Sequence, residues 1–224
     1  MRTPFRNREV LRIEAFSDAV FGFAATLLVV SLEVPTSYKK LIDDLRGLPA
    51  FGITFGALVL LWSVHNGFFR RYSLQDARTV LINSILLFLI LFFVFPLKSL
   101  AHLFFLKFFG LSAVGSQPVA LTAEDLASIF MLYGAGFSAV FVCFALMYRH
   151  AYKMRAVLDL DEHAASEARF RARHYFIFVC VGIVSIAIAY LQIGIRFGLP
   201  GFVYCFIGPA AWLHGRAFKS PSAA

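Results

Sequence analysis

A guanidinium, two carboxylates and a hydroxyl stand within seven residues of one another at the head of the first apolar stretch, as Arg12, Glu14, Ser17 and Asp18. A carboxylate at the mouth of such a stretch can attract a cation, carry a proton or close a hydrogen-bond network. His65, which can donate, accept or titrate, and the amide of Asn83 lie inside later apolar runs. Asp18 and His65 are the pair that a proton-linked carrier or proton pathway would use. The sequence contains no Gly-rich phosphate loop, nucleophile elbow or paired-carboxylate pattern, so enzyme chemistry is not expected. The 6 histidines do not pair at ligand spacing, and Cys143, Cys180 and Cys205 lie singly in apolar runs, so neither a resident metal nor another cofactor is expected.

The elements that must position these groups follow from composition. Of 224 residues, 60% are hydrophobic and 15% charged, well below the roughly 25% charge of a soluble domain. The apolar excess exceeds what one soluble core can bury, which predicts an all-α integral membrane protein, a multi-pass single domain over 1–224. Six spans are expected, at about Ile13–Val34, Leu48–Phe69, Ala77–Leu100, Leu126–Tyr148, Tyr175–Ile195 and Leu199–Leu213. The last two are separated only by Gly198-Leu199-Pro200-Gly201 and can also be read as one interrupted segment. The link after the third span, His102 to Asp125, is rich in phenylalanine and reads as an interfacial helix or a continuation of that span. Thr122, followed by Glu124 and Asp125, is a helix-start signal for the fourth.

Net charge is +8. The basic residues fall between apolar runs rather than along one face, which argues for topology and anionic lipid and against nucleic acid. Arg2, Arg6, Arg8 and Arg12 precede the first span, Arg70, Arg71 and Arg78 follow the second, and Arg149, Lys153, Arg155, Arg169, Arg171 and Arg173 follow the fourth. With Arg216 and Lys219 they outnumber Lys39, Lys40, Arg46, Lys98, Lys107 and Arg196 on the other side. The positive-inside bias then places both termini in the cytoplasm, which needs an even number of spans.

At about 100° per residue, Phe23, Leu27 and Val30 fall within about 60° of one another on the first span, flanked by Ala19 and Thr26. Asp18, Gly22, Ala25 and Val29 form a separate stripe roughly 130° away. The small residues of that stripe suit close helix packing, which would give Asp18 a partner there. Arg12 is six residues from Asp18, too far for direct pairing along one helix, and His65 is the natural connector. The Thr26 hydroxyl can bond the carbonyl one turn back, at Gly22.

Arg12-x-x-x-Phe16-Ser17-Asp18 resembles the RxxxFSD signature of the transmembrane protein 175 family of potassium channels. Thr26-Leu27-Leu28, Glu33-Val34-Pro35, Trp62-x-x-His65 and Asn83 with Phe95-Pro96 are similar to its bacterial members, and the likeness covers about the first 100 residues. The resemblance implies a homotetramer of six-span subunits in the cell membrane, without a pore loop. Its permeant ion would be K+ among monovalent cations, and the sequence holds no TVGYG filter. It implies a pore lined by the first span of each subunit, with constriction positions on Phe23, Leu27 and Val30 and an ion-preference position on Thr26. Arg12, Phe16, Ser17, Asp18, Trp62, His65 and Asn83 would form a structural network behind it. Phe23 departs from the isoleucine or leucine usual at the innermost constriction. The permeation expected is a passive leak through a hydrophobic gate, with the proton-linked carrier as the alternative.

Overall fold

The computed structural model describes residues 11–30, 36–109 and 122–217. Arg2, Arg6, Arg8, Glu33, Val34, Pro35, Lys219 and the middle of the Phe-rich link lie outside those residues, as do the side chains of Lys39, Lys40 and residues 102–109.

Helix α1, Arg12–Val30, opens with the Glu14 carboxylate accepting the Leu11 N–H at 2.9 Å, which satisfies one orphan donor of the first turn. A short amphipathic helix α2, Tyr38–Arg46, follows. Its nine residues are too few to span, and no expectation from the sequence had marked it. Pro49 sits in the first turn of α3, Leu48–Tyr72, where its missing N–H costs nothing. Ser73 caps α3 in the left-handed region (φ 51°), its N–H donating to the Phe69 carbonyl.

Helix α4 runs unbroken over Ala77–Phe109 with Pro96 inside it, so the link after the third span begins as a continuation of that span. Helix α5, Ala123–Lys153, starts in a full capping box. Thr122 Oγ1 accepts the Asp125 N–H, and the Asp125 carboxylate accepts the Thr122 N–H at 2.9 Å. Helix α6, Glu162–Tyr190, is capped by Asp161, which accepts the Ala164 N–H at 2.6 Å.

After Tyr190 the chain reverses through Gly194 and Gly198, both at positive φ (60° and 76°), where a glycine avoids the Cβ clash. It then climbs back as helix α7, Leu199–Phe202, a 3-10 turn at Val203–Phe206, and helix α8, Ile207–Ala217. Pro209 has no N–H for the Cys205 carbonyl, which explains the tighter turn just before it. Ser185 of α6 donates to the Pro200 carbonyl at 2.9 Å, and the His214 ring stacks on Phe170, centroids 4.5 Å apart. The 199–217 run therefore lies antiparallel along α6.

Among the described residues five helices are long and apolar enough to cross a membrane: α1, α3, Ala77–Val94 of α4, α5 and α6. The expected sixth span is not a continuous α-helix, because its Gly and Pro residues break it into α7, the 3-10 turn and α8. Among the described residues there is no strand.

The core gathers Phe68, Phe69 and Tyr72 of α3, Leu86, Leu87 and Ile90 of α4, Phe144, Met147 and Tyr148 of α5, and Tyr175 of α6. Large apolar side chains such as Leu60, Leu81, Phe88, Phe176 and Ile183 remain exposed on the outer helix faces, as lipid contact requires. Helices α5 and α6 approach most closely where Gly134 and Ser138 meet Gly182. A Cβ on Gly134 would lie 2.6 Å from Ile186 Cγ1 and 3.3 Å from the Gly182 carbonyl, and one on Gly182 would overlap Ser138 Oγ. Small residues at such a contact let backbones pack without a hydrophobic drive. Gly182→Val is expected to destabilise the protein by about 1–3 kcal/mol, the usual cost of overpacking, read as a lower unfolding midpoint in detergent. A wild-type midpoint would refute the contact.

The basic end of the bundle is tied across helices. His150 Nε2 of α5 donates to the Asp76 carboxylate at 2.9 Å, and Asp76 also accepts from Thr79 Oγ1 at 2.6 Å and from the Arg78 N–H. Glu167 of α6 pairs with Arg71 of α3 at 2.5 Å and with Arg171 at 2.9 Å. Burial alone would raise the Asp76 carboxyl, but the donors at Thr79, His150 and Arg78 outweigh it and hold the group below the usual aspartate range. A depressed folded-state value stabilises the fold above the ordinary aspartate value, about 3.9. That contribution is lost as pH falls through the depressed value. The acid limb of the stability–pH profile should therefore be shallower in Asp76→Asn than in wild type. Superimposable limbs would exclude this assignment.

Candidate functional site

Three faces of α1 set the site. Glu14, Ser17, Phe21, Ala24 and Leu28 recur at three- and four-residue steps and are buried against α3 and α4. On roughly the opposite side Phe16, Phe23, Leu27 and Val30 point away from the protomer, with Phe23 57% and Val30 75% exposed. The third stripe, Asp18, Gly22, Ala25 and Val29, lies between these two. Within the protomer it is not the packing face expected from its small residues: Gly22 has open space where a Cβ would be, and Asp18 and Val29 are exposed. The larger Phe21 and Leu28 bury more apolar area, and they decide which side turns inward.

A continuous hydrogen-bond chain runs from the buried face of α1 into the bundle. Ser17 Oγ donates to the Ile13 carbonyl at 2.7 Å, so its lone pairs are left to accept. Asn83 Nδ2 of α4 fills that role at 2.9 Å, which turns its Oδ1 toward α3. There it accepts from His65 Nε2 at 2.7 Å. The direction of the chain thus fixes the histidine tautomer: Nε2 carries the proton, and Nδ1 is the basic nitrogen of the neutral ring. Ser17, His65 and Asn83 are each at most 2% exposed. Phe21 and Phe69 pack on the imidazole with centroids 5.4 and 4.8 Å away.

Asp18 has a different partner. Its Oδ1 accepts the indole N–H of Trp62 at 2.7 Å at the exposed seam between α1 and α3. His65, the connector expected from the sequence, bonds Asn83 instead, so Asp18 and His65 belong to separate bonded sets. Among the described residues no hydrogen bond or ion pair joins Arg12 to Asp18, and both Arg12 and Phe16 point outward. Thr26 Oγ1 donates to the Phe23 carbonyl at 2.7 Å, three residues back rather than at Gly22. No single-sequence signal announces the Trp62–Asp18 bond, because its members lie 44 positions apart on two helices. The His150–Asp76 tie was missed for the same reason, at a separation of 74. Among the described residues no group of three or more His, Cys, Asp or Glu is placed to hold a metal ion.

A protein named "Potassium channel" from Marivirga tractuosa is 34% identical over 225 residues, covering 97% of this chain and 91% of that protein. This chain belongs to the TMEM175 family. The family profile described as "Endosomal/lysosomal potassium channel TMEM175" matches residues 12–94, the stretch that holds every site residue from Arg12 to Asn83. A potassium channel of Chamaesiphon minutus is 28% identical over 85% of this chain and 91% of its own. The crystal structure of the potassium channel MtTMEM175, a variant in complex with a nanobody–MBP fusion protein, matches with a TM-score of 0.84. That match has 32% identity and covers 96% of this chain and 97% of that one. As a TMEM175-family protein with several apolar helices long enough to span, the chain is a membrane protein of a potassium channel family.

Proposed function

We propose that four copies of this chain assemble in the cell membrane as a potassium-permeable cation channel. K+ leaks passively down its gradient through a pore lined by α1 of each copy. The observation that carries this reading is the outward ridge of Phe16, Phe23, Leu27 and Val30 on α1. It is bulky, apolar and continuous, and it lies opposite the face that anchors α1 to its own bundle. Around a shared axis, four such ridges form apolar collars at Phe23, Leu27 and Val30. Collars of this kind shed water when narrow and pass hydrated cations when wide. Thr26 stands on the exposed side between Phe23 and Leu27, with its hydroxyl proton committed to the Phe23 carbonyl and its oxygen lone pairs free to meet a cation. The Ser17–Asn83–His65 chain holds α1 rigidly behind the collars.

Six spans accompany this reading, with the broken 199–217 run as the last. Its antiparallel register along α6, Pro200 beside Ser185 and His214 beside Phe170, supports a full crossing. The basic residues of the α3–α4 and α5–α6 links meet at one end of the bundle, through Asp76–His150 and Arg71–Glu167. That end is cytoplasmic by the positive-inside bias, which puts both termini there. Planar-bilayer recording of the purified full-length protein in asymmetric potassium and sodium tests the reading. Unitary steps with a reversal potential on the potassium side are expected. Slow flux coupled to pH, with no steps, would replace the channel by a carrier.

A further inference from the structure

At the basic end, two guanidiniums converge on one tyrosine ring. Arg155 Cζ lies 4.7 Å and Arg169 Cζ 5.7 Å from the centroid of Tyr152, a side chain of the last turn of α5. Arg155 follows α5, and Arg169 stands on α6. Arg155 Nη1 also donates to the Tyr152 carbonyl at 3.1 Å, which fixes its fork against the ring. Among the described residues neither arginine makes an ion pair. The nearby Glu167 is engaged with Arg71 and Arg171, and Asp161 caps α6. Two exposed like charges held at one ring with no carboxylate between them form an arrangement that an anion completes. A phosphate diester is the anion that an arginine fork binds bidentately.

Depth selects the source of that phosphate. The runs of α5 and α6 without Asp, Glu, Lys, Arg or His end at Tyr148 and Tyr175, whose ring centroids lie 5.5 Å apart, and the exposed Arg149 and Arg173 follow within two residues. Tyr152 lies about 6 Å beyond Tyr148 along its helix, and Arg169 about 9 Å beyond Tyr175. That is the thickness of a headgroup layer. Lys153 and Arg173 stand exposed one turn along the same faces as Arg149 and Arg169.

We infer that Arg155 and Arg169, spaced by Tyr152, clamp the phosphate of an anionic phospholipid in the cytoplasmic leaflet. The inference rests on the membrane placement proposed above. It is tested on the purified full-length protein by native mass spectrometry and thermal unfolding with phosphatidylglycerol, phosphatidylcholine or inorganic phosphate. Phosphatidylglycerol is expected to bind and raise the midpoint, and the other two are not. Arg155→Gln with Arg169→Gln should weaken phosphatidylglycerol binding about thirtyfold, at about 1 kcal/mol per lost arginine near the bilayer surface. Arg149→Gln, outside the ring, should weaken it severalfold at most. Tyr152→Leu, which keeps both charges, should fall between.

An unchanged affinity in the double variant, an equal loss in Arg149→Gln, or equal binding of inorganic phosphate would each overturn the clamp. If the double variant fails to fold, Tyr152→Leu decides alone, and wild-type affinity there overturns it. Liposome potassium flux, measured in parallel, keeps the two readings apart. Intact flux without specific lipid binding removes only the clamp, and absent flux with specific binding removes only the channel.

Discussion

On the pore proposed above, Phe23→Ala is expected to raise the unitary potassium conductance, on the order of two- to tenfold, because it removes the bulky phenyl group from the outward ridge of α1. The phenyl group is 57% exposed and lies away from Phe21 and Leu28, which are buried in the protomer core. Truncating an exposed side chain away from such contacts shifts stability by about 0.5 kcal/mol or less, so the variant should fold and assemble. The conductance then reports the pore and not damage to the protomer. Leu27→Ala, one turn on and 38% exposed, should act in the same direction and no more strongly, since an isobutyl group leaves a smaller obstruction. Single-channel recording of both variants, with the oligomer checked by size-exclusion chromatography and light scattering, is the measurement. Unchanged conductance in both, with the assembly intact, would move the permeation path away from this ridge.

Asn83→Ala should be the most destabilising single change, about 2–4 kcal/mol. The substitution strands two buried groups at once, since His65 Nε2–H loses its acceptor and Ser17 Oγ its donor. Orphaned buried polar groups cost about 1–3 kcal/mol each, while average interhelical hydrogen bonds in membranes are worth only about 0.6. The first figure governs here because both partners are sealed from solvent and lipid by Phe21, Phe69 and the helices themselves. For a chain of this size that corresponds to a midpoint lower by roughly 5–15 °C. Ser17→Ala should cost less, because it leaves only one Asn83 N–H unmatched. The double variant should cost less than the sum of the two singles, since the residues share one bond. An Asn83→Ala midpoint within 1 °C of wild type would show that the chain contributes nothing.

The expected results share one origin in the helical pattern of α1. The ridge of Phe23, Leu27 and Val30 was legible in the sequence because angular position along one helix is local information, fixed at about 100° per residue. The same holds for the membrane class, read from apolar run lengths, and for the capping box at Thr122, a three-residue pattern. Gly198-Leu199-Pro200-Gly201 also marked the break after the fifth span, but the further division of Leu199–Leu213 into shorter helical pieces was not anticipated.

What the sequence left undecided was which face of α1 turns inward and which polar groups meet. Periodicity assigned the small-residue stripe of Gly22 and Ala25 to packing. Tertiary structure buries Ser17, Phe21, Ala24 and Leu28 instead, because Phe21 and Leu28 bury more apolar area in the core shared with α3 and α4. Asp18 found Trp62 rather than His65, and His65 found Asn83, through separations of 44 and 18 positions. The ties of Asp76 to His150 and of Arg71 to Glu167 likewise join helices that the linear order keeps apart. One chain by itself determined the membrane class, the long apolar helices and the angular stripes along them. Which of several polar groups became partners was decided only in three dimensions, because that choice depends on how whole helices rotate to bury the most apolar surface.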